Sequence, residues 1–454
     1  MRRKGVRAFL PAVLLSLTCV AAHADVQELH SEREVLGNGL TVIYHRDDRT
    51  PAVAVAVWYD VGAFHERPGR SGFAHLFEHM MFQGSAHVPR DGVITGLERR
   101  GATQINGTTS FDRTLYHEVV PSSELEYALW LESDRMGWFL SALDQAELEN
   151  QKDVVKSERR DRVNDRPYGL VDGLVMHALY PEGHPYRENV IGKAKEVDAA
   201  TLADVREFFL EYYSPSNACL VLAGDLEVPA AKELVRKYFG SLPTRPKPPA
   251  PTIDPPDPRG TKLLLANEPI AKDARLSLVW VGPPPYGQGA AELDYAASLM
   301  SDPGIGWLDD YLRAAGIEVL DVSASFLELR GGSRFELHVG VPEGSQPEQL
   351  IRLIDKFILT LSTHAREQRE IDAYRNSLER AMLFRNESIL NRAILLAAYD
   401  RQLGDPKKLA FDLGRYSLVT PDSLRRTVLS TLGSNRVAVF AEPTRGPIKR
   451  KERP

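Results

Sequence analysis

The pentapeptide His75-Leu76-Phe77-Glu78-His79 is the stretch from which the rest of the chain is best interpreted. Side chains four positions apart in a helix lie one turn apart on the same face, so His75 and His79 are placed to bind one metal ion together. Glu78 lies beside them, where a carboxylate can act on a water at that ion. A Pro-Gly break before the stretch and a glycine after it predict a short helix. The alternative is a pair of histidines that bind nothing.

The first 24 residues have the pattern of a secretory signal peptide. A basic start at 2–7 is followed by the apolar residues 8–20 and an Ala-His-Ala cleavage site at 22–24. We therefore expect an exported chain with no transmembrane segment, in the periplasm, with secretion as the alternative. Loss of four cations and no acid moves the formal net charge from −6 to about −10, which argues against a nucleic-acid partner.

Eight prolines between Ser241 and Gly260 predict a semi-rigid linker, because proline neither pairs within a sheet nor continues a helix. The segments on either side of it look like copies of each other. LERRG at 97–101 and LRAAG at 312–316 are each followed, ten residues after the glycine, by a phenylalanine. We expect a signal peptide at 1–24, an N-terminal domain at 25–240, a linker at 241–260, a C-terminal domain at 261–445 and a basic tail at 446–454.

Each copy has the pattern of strands, a helix, two further strands and then helices. Runs of strands followed by runs of helices indicate the α+β class, here two homologous α/β sandwich domains, each a mixed sheet with helices on one face. Counted back from the shared glycine, His79 corresponds to about Asp294, and the second copy has no histidine between Asp273 and Arg313. The sequence therefore predicts an active N-terminal copy and a degenerate C-terminal copy.

A third metal ligand is expected from a separate helix, because a catalytic zinc site uses three protein ligands and leaves one position open. The helix expected to begin at Asp144 offers Glu149, Asp153, Glu158 and Asp161. Glu158 follows Val154 and Val155 by four and three residues, which favours an inward-facing position. The spacing alone leaves the other three carboxylates open.

The order H-x-x-E-H, with a carboxylate 79 residues after the second histidine, resembles the pitrilysin/insulinase/mitochondrial processing peptidase family of zinc metallopeptidases. The likeness implies a bacterial-type, two-domain member with one Zn²⁺ per chain and a clam-like shell. It also implies that His75, His79 and Glu158 bind the zinc, and that Glu78 is the general base acting on a zinc-activated water. Further stretches that carry the resemblance are Gly101-x4-Asn106-x7-Thr114-x-Tyr116, Glu132–Met136 and Val154–Arg160.

In that family an edge strand binds the substrate as an added β-strand, and residues 101–109 resemble it. The resemblance implies substrate binding at Gly101, Asn106, Gly107 and Thr108, through backbone hydrogen bonds that tolerate many side chains. The alternative is an ordinary edge strand whose polar residues discourage aggregation.

Family members also bring an arginine, and a tyrosine seven residues later, from the second half to the substrate. Arg313 occupies a plausible position for this arginine, but Leu320 stands where the tyrosine is expected. We therefore expect either a homologous partner subunit that supplies the Arg/Tyr pair or a homodimer. The alternative for Arg313 is a cation on a helix surface.

The sequence thus predicts an exported zinc endopeptidase or oligopeptidase that hydrolyses extended peptides or unfolded polypeptides. A non-catalytic scaffold or partner subunit of a heteromeric peptidase is the main alternative, although such chains generally lose ligands that this one retains. A metal-dependent hydrolase with a substrate other than a peptide is the third possibility.

Overall fold

The computed structural model describes residues 29–249, 251, 253–304, 306–363 and 368–443. The expected signal peptide and basic tail lie outside these residues. Within the described ranges, the strands form two sheets, one in each half of the chain. Among the helices in those ranges, none has both the length and the apolar character that a membrane crossing requires.

The first half contains strands β1–β6 and helices α1–α8. The strands are Glu32–Val35, Thr41–Arg46, Ala52–Tyr59, Thr103–Thr109, Thr114–Pro121 and Ala218–Gly224. The helices are Phe73–Met80, Gly92–Glu98, Leu125–Trp138, Gln145–Arg159, Val171–Leu179, Ala194–Asp198, Leu202–Tyr212 and Val228–Phe239.

The second half contains strands β7–β11 and helices α9–α15. The strands are Thr261–Glu268, Ala274–Gly282, Asp321–Leu327, Ser333–Val341 and Arg436–Pro443. The helices are Ala290–Ser301, Leu308–Ala314, Pro347–Thr363, Gln368–Arg385, Ile389–Leu403, Leu409–Ser417 and Pro421–Thr431.

The two sheets have the same strand order, which confirms the predicted pair of related mixed-sheet domains. The first is ordered β1-β2-β6-β3-β5-β4 and the second β7-β11-β8-β10-β9, so that β2 to β6 correspond to β7, β8, β9, β10 and β11 in chain order. In the first half, the last strand, β6, pairs in parallel with β2 and antiparallel with β3. In the second half, β11 pairs in the same way with β7 and β8. The sequence pattern did not predict β6 and β11, which lie far along the chain from the strands that they join.

Strand β3 has the sequence AVAVAVWY and is buried on both faces. The side chains of a strand alternate between faces, so Val53, Val55 and Val57 point into a core with the helices of the first half. Ala54 and Ala56 point the other way, and their small side chains leave room for a helix to approach closely. That helix is α13, which comes from the second half of the chain.

Each half therefore covers one face of the sheet that belongs to the other half. Helices of the same half cover one face of each sheet, as predicted. The opposite face of the first sheet lies against α13 and α14, and the opposite face of the second sheet lies against α5 of the first half. Ion pairs of Arg401 with Asp60 and of Arg392 with Asp47 add to this apolar contact. The two halves consequently form one packed body.

Candidate metal centre

Helix α1 carries the two histidines and the glutamate of the H-x-x-E-H stretch. It begins after Gly72, whose φ of +86° lies in the left-handed region. The side chain of Glu66 accepts hydrogen bonds from the backbone N–H groups of Gly72, at 3.0 Å, and Ala74, at 2.8 Å, and so caps the helix. Leu76 and Phe77 are buried in the core of the first half. The capped end and the buried side chains thereby hold in place the face of α1 that carries the two histidines.

Helix α4 supplies the third side chain of the cluster. Asp144 begins it, where the sequence predicts, and caps it by accepting a hydrogen bond from the N–H of Glu147 at 2.9 Å. Val155 is buried, and Glu158 lies one turn beyond it on the same side. Val154 is 41% exposed, so only one of the two valines used in the prediction marks the inward face.

The structure brings Glu158, rather than its neighbours on α4, to the histidines. Glu149 is exposed and pairs with Lys152 at 2.9 Å, while Asp153 is exposed and pairs with Lys156 at 2.9 Å. The α-helical pattern changes to a π-helical turn at Arg160–Asn164, directly after Glu158, and such turns recur at functional sites.

The side chains of His75, His79 and Glu158 converge on one point. The Nε2 atom of His75 lies 3.0 Å from Oε2 of Glu158, and the Nε2 atom of His79 lies 3.2 Å from the same oxygen. One ligand atom from each residue lies within 4.8 Å of the others. Ligands of a tetrahedral zinc ion at about 2.0–2.1 Å are roughly 3.3 Å apart, so the donor set and its spacing fit zinc. These three residues would hold the ion.

Glu78 lies next to this cluster without belonging to it. The hydroxyl of Thr109, at the end of β4, donates a hydrogen bond to Oε2 of Glu78 at 2.6 Å. Nδ1 of His75 lies 3.6 Å from the same oxygen. A Cβ atom added at Gly107 would lie 3.0 Å from Oε1 of Glu78, so the missing side chain leaves space for this carboxylate. The carboxylate is therefore oriented by β4 and remains beside the metal-binding point.

The charges of the cluster favour a cation at its centre. Burial alone would lower the pKa of His75, but hydrogen bonds with Glu158 and Glu78 raise it to about 9. Hydrogen bonds from His75 and His79 lower the pKa of Glu158. Burial opposes the ionisation of Glu78, yet hydrogen bonds with His75 and Thr109 bring its pKa below the usual range. The carboxylates that favour a proton on His75 also favour a metal ion among the three ligands.

Strand β4 is the outer strand of the first sheet, beside α1. Gly101 precedes it with a φ of +78°, and the register with β5 shifts between Thr103 and Asn106. Asn106 is exposed, Gly107 is buried against Glu78 and Thr108 is partly buried. The four residues predicted to bind substrate therefore lie along the open edge next to Glu78, and their role in binding remains a prediction.

Arg313 lies elsewhere in the structure. Its guanidinium pairs with Asp309 at 2.6 Å and donates a hydrogen bond to the carbonyl oxygen of Val319, both in the second half. Leu320 is 45% exposed. The structure thus does not bring Arg313 to the metal cluster within this chain, and its proposed contact with substrate remains a prediction.

The second half instead contributes side chains to a cavity of about 220 Å³ beside Arg162. Arg162 lies in the π-helical turn and pairs with Oε1 of Glu158 at 2.8 Å. Alternate residues of β10 line the opposite wall of the cavity, at Arg334, Glu336 and His338.

Two residues that support the site were missed by the sequence analysis. Thr109 comes three residues after Asn106 in the same strand, so the strand motif carried a signal that was not used. Glu66 comes six residues before Gly72 and caps α1 across a loop. No periodic pattern marks a carboxylate that acts across a loop.

Comparison with known proteins identifies the family of this chain. The profile of the family described as Insulinase (Peptidase family M16) matches residues 41–189, and that of the Peptidase M16 inactive domain matches residues 199–378. The chain belongs to the M16 family of zinc peptidases.

The relatives of this chain include named zinc proteases. It is 32% identical over 234 residues to the zinc protease PqqE of Helicobacter pylori, across 51% of this chain and 52% of that protein. It is 29% identical over 210 residues to the uncharacterized zinc protease YmxG of Bacillus subtilis, across 46% of this chain and 50% of that protein. The matched region thus spans about half the length of these curated relatives. A solved protease from Helicobacter pylori superposes with a TM-score of 0.84 at 25% identity, across 92% of this chain and all of that one.

Proposed function

We propose that this chain is a zinc-dependent endopeptidase or oligopeptidase that cleaves extended peptides. The observation that carries the proposal is the convergence of His75, His79 and Glu158 within 4.8 Å, with Glu78 held beside them by Thr109. Two imidazoles, one carboxylate and a free carboxylate are the components that metal-assisted peptide hydrolysis requires.

When bound, zinc supplies Lewis-acid chemistry, polarising the scissile carbonyl and lowering the pKa of water. Glu78 then accepts the proton of the attacking water and delivers it to the leaving amine. A glutamate with an ordinary pKa of about 4.3 is already ionised at neutral pH and is ready to accept that proton. The hydroxyl of Thr109 fixes which carboxylate oxygen faces the reacting atoms.

A peptide substrate is favoured by the open edge of β4 next to Glu78. An extended peptide added to this edge would pair its backbone with Asn106 and its neighbours, which brings the scissile bond toward the metal-binding point. The cavity beside Arg162 is the place that we assign to one substrate side chain. This open strand also argues against the alternative of a metal-dependent hydrolase for other substrates.

The second candidate function is that of a non-catalytic scaffold or partner subunit. The matched inactive-domain profile supports that role for the second half. The complete set of His75, Glu78, His79 and Glu158 in the first half argues against it for the whole chain. We propose in addition that residues 1–24 direct export, most simply to the periplasm, and that a homologous partner or a second copy supplies the missing Arg/Tyr pair.

The test compares the wild type with Glu78→Gln and, as a matched control, Glu149→Gln on the exposed side of α4. We expect one zinc per chain in all three proteins and chelator-sensitive cleavage of an unstructured peptide library by the wild type and the control. Glu78→Gln is expected to lose at least about a thousandfold in kcat while it keeps its zinc. Retained cleavage by pure Glu78→Gln would overturn the general-base role, and a wild type that binds zinc without cleaving any peptide would favour the scaffold.

A further inference from the structure

The loop between β9 and β10 of the second half contacts the first half close to the end of β4. The backbone N–H of Arg330 donates a hydrogen bond to Oδ2 of Asp112 at 3.1 Å. The N–H of Gly331 donates one to the hydroxyl of Tyr186 at 3.0 Å. That hydroxyl in turn donates to Oδ1 of Asp112 at 2.5 Å. Three segments that are distant in sequence thus meet through one phenol and one carboxylate.

The surroundings of Tyr186 leave it little freedom. Its side chain is fully buried, and its ring centroid lies 5.2 Å from that of Phe64 and 4.8 Å from that of Phe111. A Cβ atom added at Gly331 would come within 2.7 Å of Phe64 and 2.9 Å of Tyr186, so only glycine lets the loop approach this closely. Burial and the charge of Asp112 raise the pKa of Tyr186, so its hydroxyl stays protonated and able to donate.

A short chain of contacts joins this point to the site. Asp112 lies in the turn between β4 and β5, which the N–H of Ser110 closes by donating to the carbonyl oxygen of Arg113 at 2.8 Å. The guanidinium of Arg113 donates to the carbonyl oxygen of Thr108 at 3.0 Å. Thr109, the next residue, donates to Glu78. The turn that Tyr186 holds is therefore the turn that ends the strand orienting Glu78.

We infer that Tyr186 is a positioning residue through which the second half holds the end of β4, and with it Thr109 and Glu78, in place. The inference rests on the proposed function for its kinetic consequence. The second half has no metal-binding cluster of its own among the described residues. The inference nevertheless gives that half a part in the reaction. Tyr186 touches neither Glu78 nor the ligands, so it acts only through the turn.

The test uses Tyr186→Phe, which removes the hydroxyl and keeps the ring. Tyr180→Phe is the matched control, because the Tyr180 hydroxyl also joins the two halves, by donating to the carbonyl oxygen of Gly332 at 3.3 Å, but does not contact Asp112. Tyr186→Phe loses two buried hydrogen bonds, one donated to Asp112 and one accepted from Gly331. Because the loss of a single buried hydrogen bond corresponds to a change of up to about tenfold, we expect kcat to fall at least about tenfold with zinc still at one per chain. Asp112→Ala, which removes the acceptor of the Tyr186 hydroxyl, is expected to reproduce the loss, and Tyr180→Phe is not.

Amide hydrogen exchange of residues 103–113 gives a readout that does not depend on activity. We expect exchange there to speed up about fivefold in Tyr186→Phe and to stay at the wild-type rate in Tyr180→Phe. If Tyr186→Phe showed the same exchange rate and the same kcat as Tyr180→Phe, the inference would be overturned. The proposed function would still stand. A wild type that cleaves no peptide would instead overturn the proposed function, and the exchange measurement would still decide the role of Tyr186.

Discussion

The two halves of this chain share five equivalent strands and differ in the helix that follows β3 in the first half and β8 in the second. Helix α1 begins after Gly72, with a φ of +86°, and helix α9 begins after Gly289, with a φ of +93°. Counted from these glycines, the second half carries Glu292, Tyr295 and Ala296 where the first carries His75, Glu78 and His79. Tyr295 is fully buried and donates a hydrogen bond to the carbonyl oxygen of Tyr416 at 3.2 Å.

A common arrangement of strands thus carries the candidate metal centre in one copy and a packed core in the other. The second half places a buried phenol ring and a methyl group where the first has a carboxylate and an imidazole, so its helix forms part of the core. Function consequently depends on a few side chains carried by a repeated fold. The second half still contributes, because α13 covers the first sheet and the loop at Arg330 contacts the end of β4.

The largest expected effect is loss of zinc when a histidine of the first half is replaced and no loss when the equivalent residue of the second half is replaced. His79→Ala removes one of three ligands, so we expect zinc content to fall from one per chain to near zero, with complete loss of peptide cleavage. Glu292→Ala, at the equivalent place of His75 in the second half, is the control and should keep both. Metal analysis after dialysis measures this, and zinc loss in Glu292→Ala would mean that the second half also holds the ion.

A smaller effect is expected at Thr109. Thr109→Val keeps the shape of the side chain but removes the hydrogen bond to Glu78, so we expect kcat to fall about tenfold with unchanged zinc content. Thr109→Ser restores a hydroxyl and should recover most of the rate. Steady-state kinetics on one peptide measures both, and a Thr109→Val enzyme as fast as the wild type would show that β4 does not orient the base.

The smallest effect concerns the buried imidazole of His65, which feels the charge of Arg330 from the second half. Burial lowers the pKa of His65 to about 4, and the charge of Arg330 from the second half adds to this. An unfolded histidine titrates near pH 6.5, so the unfolded state takes up the proton first on acidification. The stability that neutral His65 contributes is therefore complete above about pH 6.5 and is lost as the pH falls toward 4.

We expect the free energy of unfolding of the wild type to drop, between pH 7.5 and 5.5, by about 1 kcal/mol more than that of His65→Gln. Urea unfolding at the two pH values measures the difference. An equal drop in both proteins would mean that the pKa of His65 is the same in the folded and the unfolded protein.

The sequence alone was sufficient for the features that depend on local pattern. It predicted the duplication, the helix of His75 and His79, and the start of α4 at Asp144. The edge strand beside the site was implied by the family resemblance. The choice of Glu158 among four carboxylates needed the family resemblance, since Val154 is exposed and only Val155 marks the buried side.

Features that depend on distant segments were not predictable from local pattern. Strand β6 enters the middle of the first sheet from about a hundred residues away, and α13 covers its other face from the second half. Counting residues back from Gly101 and Gly316 aligned His79 with Asp294. Counting forward from Gly72 and Gly289, where α1 and α9 begin, aligns His79 with Ala296. The segment between helix start and glycine is two residues shorter in the second half, and a count along the chain does not reveal that shift.

The central claim is that two histidines of α1 and one glutamate of α4 bind a single zinc ion. Anomalous diffraction, collected on both sides of the zinc absorption edge from crystals of the chain purified with zinc, tests it most directly. We expect one anomalous peak about 2.0–2.2 Å from Nε2 of His75, Nε2 of His79 and a carboxylate oxygen of Glu158. A peak bound by other residues, or a map in which Glu158 lies beyond bonding distance of the ion, would contradict the claim.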